Sequence, residues 1–220
     1  TQVWPGRGII IESDAPIICY GVTRFQATSD GFLAIPVNAL GKKYVIAAYR
    51  ETADFTNQSL TPYADIIGVY DKTKVSYQIG GNNNTWIRDL NEKKWKPLET
   101  MTATLNRGDF WLIASEGAQS DLGGGLVSAN KPVSVLSGSH CAYVPTANGY
   151  CDFIIETETP MIAWGTKYHV TNIVDRKFSS YCRFFAKEPN TNFYRDGVLF
   201  WTAYSSWGLE GDGWLDKRAN

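Results

Sequence analysis

Three short segments recur in the same order further along the chain, and this internal likeness constrains the fold more than any other feature. Ala129-Asn130-Lys131-Pro132-Val133 lies over Ser13-Asp14-Ala15-Pro16-Ile17 at an offset of 116 residues. In each copy an apolar run, Leu126-Val127 or Ile10-Ile11, passes an Asp or Asn two residues before a proline and enters a second β-prone run. Trp164-Gly165-Thr166-Lys167-Tyr168-His169-Val170 lies over Leu40-Gly41-Lys42-Lys43-Tyr44-Val45-Ile46 at an offset of 124. Pro189-Asn190-Thr191-Asn192-Phe193 lies over Asp71-Lys72-Thr73-Lys74-Val75 at an offset of 118. A period of that length belongs to a domain-sized unit, not to a solenoid repeat. The expectation is two tandem, diverged β-sandwich-like units, 1–118 and 119–220, packed together as one compact body, with the second open to being incomplete.

Local chemistry makes both units β. Aromatic residues are 14% of the chain, and twenty glycines accompany frequent Asn in turn-like positions. Aromatic and β-branched side chains pack well on pleated faces, while Gly and Asn supply the turns. No capped amphipathic run of helical length occurs, so an all-β fold with little or no helix is expected.

Along the chain, the unbroken apolar runs Ile9-Ile10-Ile11 and Ile17-Ile18-Cys19-Tyr20 predict two strands buried on both faces. Further strands are expected at Phe32–Ile35 and Tyr44–Tyr49, then a long exposed loop from Arg50 to Tyr63. Asp65–Tyr70 and Thr73–Ile79 predict a hairpin around Asp71-Lys72. The stretch from Asn82 to Thr104 has no clear period. Phe110–Ala114 follows a turn at Asn106-Arg107-Gly108-Asp109. In the second unit, strands are expected at Leu126–Ser128, Val133–Leu136, Phe153–Glu156, Met161–Trp164 and Tyr181–Ala186. Asp196-Gly197 predicts a tight hairpin turn before Val198–Ala203.

The run from Gly124 to Val170 resembles the N-terminal domain of the IgGFc-binding protein family. The residues that carry the likeness are Ala129 to Gly138, Cys141 through Val144-Pro145 to Cys151-Asp152, and Pro160 to Trp164-Gly165. Upstream, Ser29 to Tyr44 resembles the first half of the same family. The chain departs from the pattern between Asn82 and Glu99 and after Phe200. The resemblance implies an extracellular or cell-surface recognition module, with Cys141 and Cys151 as its disulfide pair. Cys19 and Cys182 fall one in each unit; they either staple the two copies together or remain free thiols.

Other chemistries find little support. A net charge of −1 with no basic run longer than two residues argues against nucleic acid. No apolar run is long enough to span a bilayer. The absence of an initiator Met and of a signal peptide suggests an excised segment of a larger surface protein. No Cys-x-x-Cys or calcium-loop spacing points to a metal, and no cofactor is expected. His140 lies between Ser139 and Cys141, but adjacent strand residues point to opposite faces, which favours a structural histidine over a catalytic one. Glu156 and Glu158 share a strand face, as a glycosidase pair would, yet a solvated strand edge is the stronger reading. Asp14, Asp30 and Asp121 suit side-chain bonds within turns, and Arg107-Gly108-Asp109 reads as a hairpin turn more than as an integrin motif. Asn57-Gln58-Ser59 and Asn83-Asn84-Thr85 are glycosylation sequons.

What remains is aromatic. Trp86 and Trp95 in the aperiodic stretch, and Trp201, Tyr204, Trp207 and Trp214 in the Gly- and Ser-rich end, suit stacking on a glycan or contact with a surface or host protein. The expected function is therefore non-enzymatic recognition or adhesion, with ligand contacts at Trp86, Trp95, Trp201, Tyr204 and Trp207. The alternative is a structural or oligomerising spacer of a surface fibre, with homo-oligomers. A carbohydrate-active enzyme is the least supported class.

Overall fold

The computed structural model describes residues 1–24, 28–50, 60–144, 150–171, 181–203 and 209–214, the last six by backbone only. The strands in chain order are β1 (Gln2–Trp4), β2 (Tyr20–Arg24), β3 (Ser29–Leu33), β4 (Gly41–Val45), β5 (Pro62–Gly68) and β6 (Thr73–Gln78). Next come β7 (Ile87–Arg88), β8 (Lys94–Trp95), β9 (Thr100–Leu105), β10 (Phe110–Ala114), β11 (Leu126–Ala142) and β12 (Asp152–Thr157). The last four are β13 (Tyr181–Phe185), β14 (Thr191–Arg195), β15 (Val198–Ala203) and β16 (Leu209–Trp214). The fold is all-β. Helical geometry among the described residues consists of the 3-10 turns Val37–Ala39 and Met161–Ala163 and of Leu60. None of these is long and apolar enough to cross a membrane.

One strand organises the rest. β11 runs for 17 residues and lies in a nearly closed eight-stranded sheet of order β1-β10-β5-β11-β6-β9, with β4 and β12 also paired to β11. Its first half, Leu126 to Ala129, pairs with β6 and β4. Its second half, from Val133, pairs with β5 and β12. The register to β4 shifts between Ser128 and Val133, and this interval contains Pro132. Proline has no N–H to give to a ladder, so the strand keeps its direction and changes neighbours there.

The core gathers the apolar side chains of these strands. Val127, Val133 and Val135 of β11 meet Ile66 of β5, Val75 and Tyr77 of β6, and Leu105 and Ile113 in one buried cluster. At the corner joining the layers, the Gly68 N–H donates to the Asp109 carbonyl and the Gly108 N–H to the Gly68 carbonyl. A Cβ on Gly68 would stand 2.4 Å from the Asn106 carbonyl oxygen, so only glycine lets the two turns stack.

Several expectations change. The expected Asp65–Ile79 hairpin is not one, because β11 lies between β5 and β6. Ile9 to Cys19 form no strand and face outward, since no neighbouring strand accepts their backbone. Met161–Ala163 is a 3-10 turn following Pro160, not a strand. Leu126–Ser128 and Val133–Leu136 belong to one strand. The aperiodic stretch holds β7, β8 and most of β9. The eight-stranded sheet draws β11 and β12 from beyond residue 118 and its other six strands from before it. β13 with β16, and β14 with β15, form two separate two-stranded sheets, as do β2 with β3 and β7 with β8.

Candidate functional site

The Cys141–Cys151 disulfide closes a loop at the far end of β11, with Cα atoms 5.0 Å apart. Its stems are β11 and β12, paired antiparallel from Leu136–Thr157 to Ala142–Asp152. Beneath the loop base, Tyr63 and Phe153 stack with ring centroids 6.1 Å apart, and the His140 ring lies 4.8 Å from that of Tyr63. The His140 Nδ1 sits 3.0 Å from the Thr61 carbonyl oxygen, which accepts its hydrogen. Ser139 points into the core on the other face of the strand. His140 is exposed on the face opposite Ser139, its ring resting against Tyr63. Tyr150, next to the bridge, is 92% exposed.

Two carboxyl groups are buried, and for one of them, Glu158, the sequence suggested solvent. Glu158, just past β12, is buried; its carboxyl accepts the Ala47 N–H at 2.6 Å and the Ser137 hydroxyl hydrogen. Burial outweighs these two bonds and pushes its pKa up to about 7. Glu156 is exposed, so the two glutamates do not share an environment. Asp65 stands on β5 opposite Leu112 on one side and Leu136 on the other. Burial lifts its pKa to about 6, and its Oδ1 has no hydrogen-bond partner among the described residues. Its signal in the sequence was a lone acid inside the strand-like Tyr63-Ala64-Asp65-Ile66-Ile67, and nothing local told buried from exposed.

Of the expected turn aspartates, Asp121 bonds within its turn, whereas Asp30 and Gly31 lie inside strand β3 and the Ser13–Ala15 turn is bonded by the Ser13 hydroxyl. Asp121 accepts the Gly123 N–H and pairs with Arg183 at 2.9 Å, both side chains being buried. Asp30 accepts the Gly31 N–H and also the Ile155 N–H, which ties β3 to β12. Asp109 accepts the N–H groups of Gly6 and Asn106. The carboxylate of the Arg107-Gly108-Asp109 triplet is therefore engaged inside the turn.

The structure brings Trp86 and Trp95 onto one small hairpin, where β7 pairs with β8. Lys94 Nζ lies 3.9 Å from the Trp86 ring centre and Lys93 Nζ 3.3 Å from that of Trp95. The Trp95 indole N–H donates to Asp89. Each ring already carries a cation of its own chain. Trp201 lies elsewhere, 48% exposed on β15, opposite Phe193. Phe184, Phe193 and Phe200 form a ring cluster beside it, with Phe184 5.6 Å from Phe193 and 5.5 Å from Phe200. Tyr204 and Trp207 lie outside the described residues, and of Trp214 only the backbone is described. The expected aromatic residues are therefore split between two sites. Cys19 and Cys182 are free thiols. Cys19 lies at the base of the β2–β3 hairpin, where its carbonyl accepts the Ala34 N–H, and Cys182 lies on β13, so the inter-unit staple is not formed.

The whole is an all-β domain with a disulfide-closed loop at the end of its central strand. A family model described as IgGFc binding protein matches residues 30–205. The human IgGFc-binding protein is 27% identical over 170 residues, which cover 77% of this chain and 3% of that protein. No solved structure matches. The chain belongs to the IgGFc binding protein family and spans a small fraction of its curated human relative.

Proposed function

We propose that the chain is a non-enzymatic, extracellular recognition module of a larger surface protein, capturing a protein or glycan ligand. The observation that carries this reading is the Cys141–Cys151 loop. Rigid strands hold both stems, aromatic packing supports the base, and Tyr150 stands clear of the surface. Loops fixed on a stiff scaffold are where binding residues concentrate, and an exposed tyrosine offers contact area at little entropic cost. Family membership supports a binding role, while the ligand of a relative does not transfer with the fold.

The test is binding of the labelled chain to a glycan array that also carries IgG Fc and mucin. Saturable binding lost on Tyr150→Ala supports the reading. Alanine at Trp86, Trp95 and Trp201 in turn tests the aromatic contacts. A blank array excludes the glycan and Fc versions.

A second reading, a self-associating unit of a surface fibre, is favoured by one specific feature. Ile9, Ile10, Ile11, Ile17 and Ile18 all face solvent in a single N-terminal segment.

A further inference from the structure

The exposed isoleucine segment has a counterpart elsewhere in the chain, and the counterpart shows what would cover it. The hairpin β2–β3 pairs Tyr20 with Leu33, Gly21 with Phe32, Val22 with Gly31 and Thr23 with Asp30. Adding 116 to the first partner and 124 to the second reproduces the β11–β12 register: Leu136–Thr157, Ser137–Glu156, Gly138–Ile155, Ser139–Ile154. The same offset of 124 relates the two 3-10 turns with their leading prolines, Pro36 and Pro160. After each turn a glycine N–H donates to a tyrosine hydroxyl three residues on, Gly41 to Tyr44 and Gly165 to Tyr168, both at 2.8 Å.

The strands that flank β11 are repeated too. β5 pairs with β10 and β6 with β9; β13 pairs with β16 and β14 with β15, in the same antiparallel sense and chain order. The turn before β6 has Lys72 at φ 54° and the Thr73 hydroxyl donating to the Tyr70 carbonyl at 2.6 Å. The turn before β14 has Asn190 at φ 59° and the Thr191 hydroxyl donating to the Glu188 carbonyl at 2.6 Å.

One part differs. β11 stands between β5 and β6, whereas β13 and β14 sit in separate two-stranded sheets. Among the described residues, β13 to β16, the counterparts of β5, β6, β9 and β10, have no strand between β13 and β14 as β11 stands between β5 and β6. The N-terminal segment Ile9–Cys19 aligns with the central strand β11 but forms no strand and pairs with no sheet. By the offset of 116, Ile11, Ile17 and Cys19 stand for Val127, Val133 and Val135, which are fully buried, while Ile11 and Ile17 are each 59% exposed. Charge agrees: with Glu12 paired to Arg107 and Arg183 to Asp121, Asp14 remains on residues 9–20, and Lys187 and Arg195 stand against Glu188 on 181–195.

We propose that the Ile9–Cys19 segment of one molecule, β3 staying tied to its own β12, inserts between β13 and β14 of a second copy of this chain, as β11 lies between β5 and β6. Such a contact is heterologous, so it links molecules head to tail. It uses strand addition for affinity and the Phe184–Phe193 cluster as the floor for the isoleucines. The inference does not depend on any ligand of the disulfide loop.

The β11 register, Val135 opposite Ile66 and Ser137 opposite Ala64, also fixes the thiols. Cys19 would stand opposite Phe184, with Cys182 its diagonal neighbour on the same face, about 7–8 Å away. The test combines light scattering with crosslinking of the full chain by a short bismaleimide. The expected masses are multiples of 24.5 kDa that grow with concentration. Ile17→Asp, at an exposed position, should return the mass to 24.5 kDa, with the circular dichroism spectrum and melting midpoint of the wild-type chain at low concentration, where it is dissociated. A mixture of Cys19→Ser and Cys182→Ser should yield crosslinked dimer, and neither variant alone should. A monomer at every concentration, association insensitive to Ile17→Asp, or a crosslink confined within single molecules would each overturn the proposal.

Discussion

The Glu158 carboxyl accepts the Ala47 N–H at 2.6 Å, in a buried site where Ser137 supplies the second hydrogen. That bond ties the end of β12 to the segment following β4. Its electrostatic setting makes the fold sensitive to pH. Below pH 4.5 the group is protonated in both folded and unfolded chains. As pH rises through 4.5 the unfolded chain ionises, while the folded one holds its proton to about 7. Stability therefore falls across that window, by about 3 kcal/mol, and is flat above it. Glu158→Gln should abolish this slope in denaturant melts run from pH 4 to 8. Slope remaining below about pH 6 belongs to Asp65, whose shift has the same sign.

The Asp121–Arg183 pair is buried on both sides and joins the loop before β11 to β13. Removing one partner strands the other charge away from water. Asp121→Ala should cost about 3–5 kcal/mol, because the guanidinium loses its counterion but not its burial. Chemical denaturation checks this, and a loss under 1 kcal/mol would show that water reaches Arg183.

Replacing Cys141 and Cys151 together by serine opens a loop with a sequence separation of 10 residues. The chain-entropy term for a loop of that size is about 3 kcal/mol. The double variant should melt correspondingly earlier, and the wild-type chain should match it once reduced. An unchanged midpoint would mean that the strand stems alone hold the loop.

Two isoleucines provide an internal contrast. Ile66 is fully buried in the main core, and Ile66→Ala should cost about 2–5 kcal/mol. Ile17 is exposed, so Ile17→Ala should change monomer stability by less than about 0.5 kcal/mol. Matched urea titrations at low protein concentration separate the two, and equal losses would place Ile17 in a core it does not occupy.

Much of the local structure was legible. Asp196-Gly197 adopts φ of 51° and 84°, the conformation that Asp-Gly favours in a two-residue hairpin, and β14 and β15 pair around it. The Asp121 side chain bonds within its own turn, and Cys141 pairs with Cys151 as the family resemblance implied. The apolar runs at Ile9–Ile11 and Ile17–Tyr20 misled, because an unbroken β-branched run reports a preference for a sheet and not the presence of one. Likewise Trp86 and Trp95 read as open stacking surfaces, and only the fold places Lys94 and Lys93 over them. The depth of Glu158 had no local signal, since Glu156-Thr157-Glu158 alternates like any half-exposed strand.

The sequence by itself determined the β class and the Asp196-Gly197 hairpin turn, because each follows from the dihedral preferences and bonding of a few adjacent residues, while the Cys141–Cys151 pair was legible through the family resemblance. Tertiary structure alone decided which strands accept β11, that Pro132 marks its change of partners, and that Glu158 is enclosed while Ile17 is not. The physical reason is that backbone hydrogen-bonding groups are the same in every residue. They commit a segment to pair without naming its partner, and burial is set by whichever distant strand arrives.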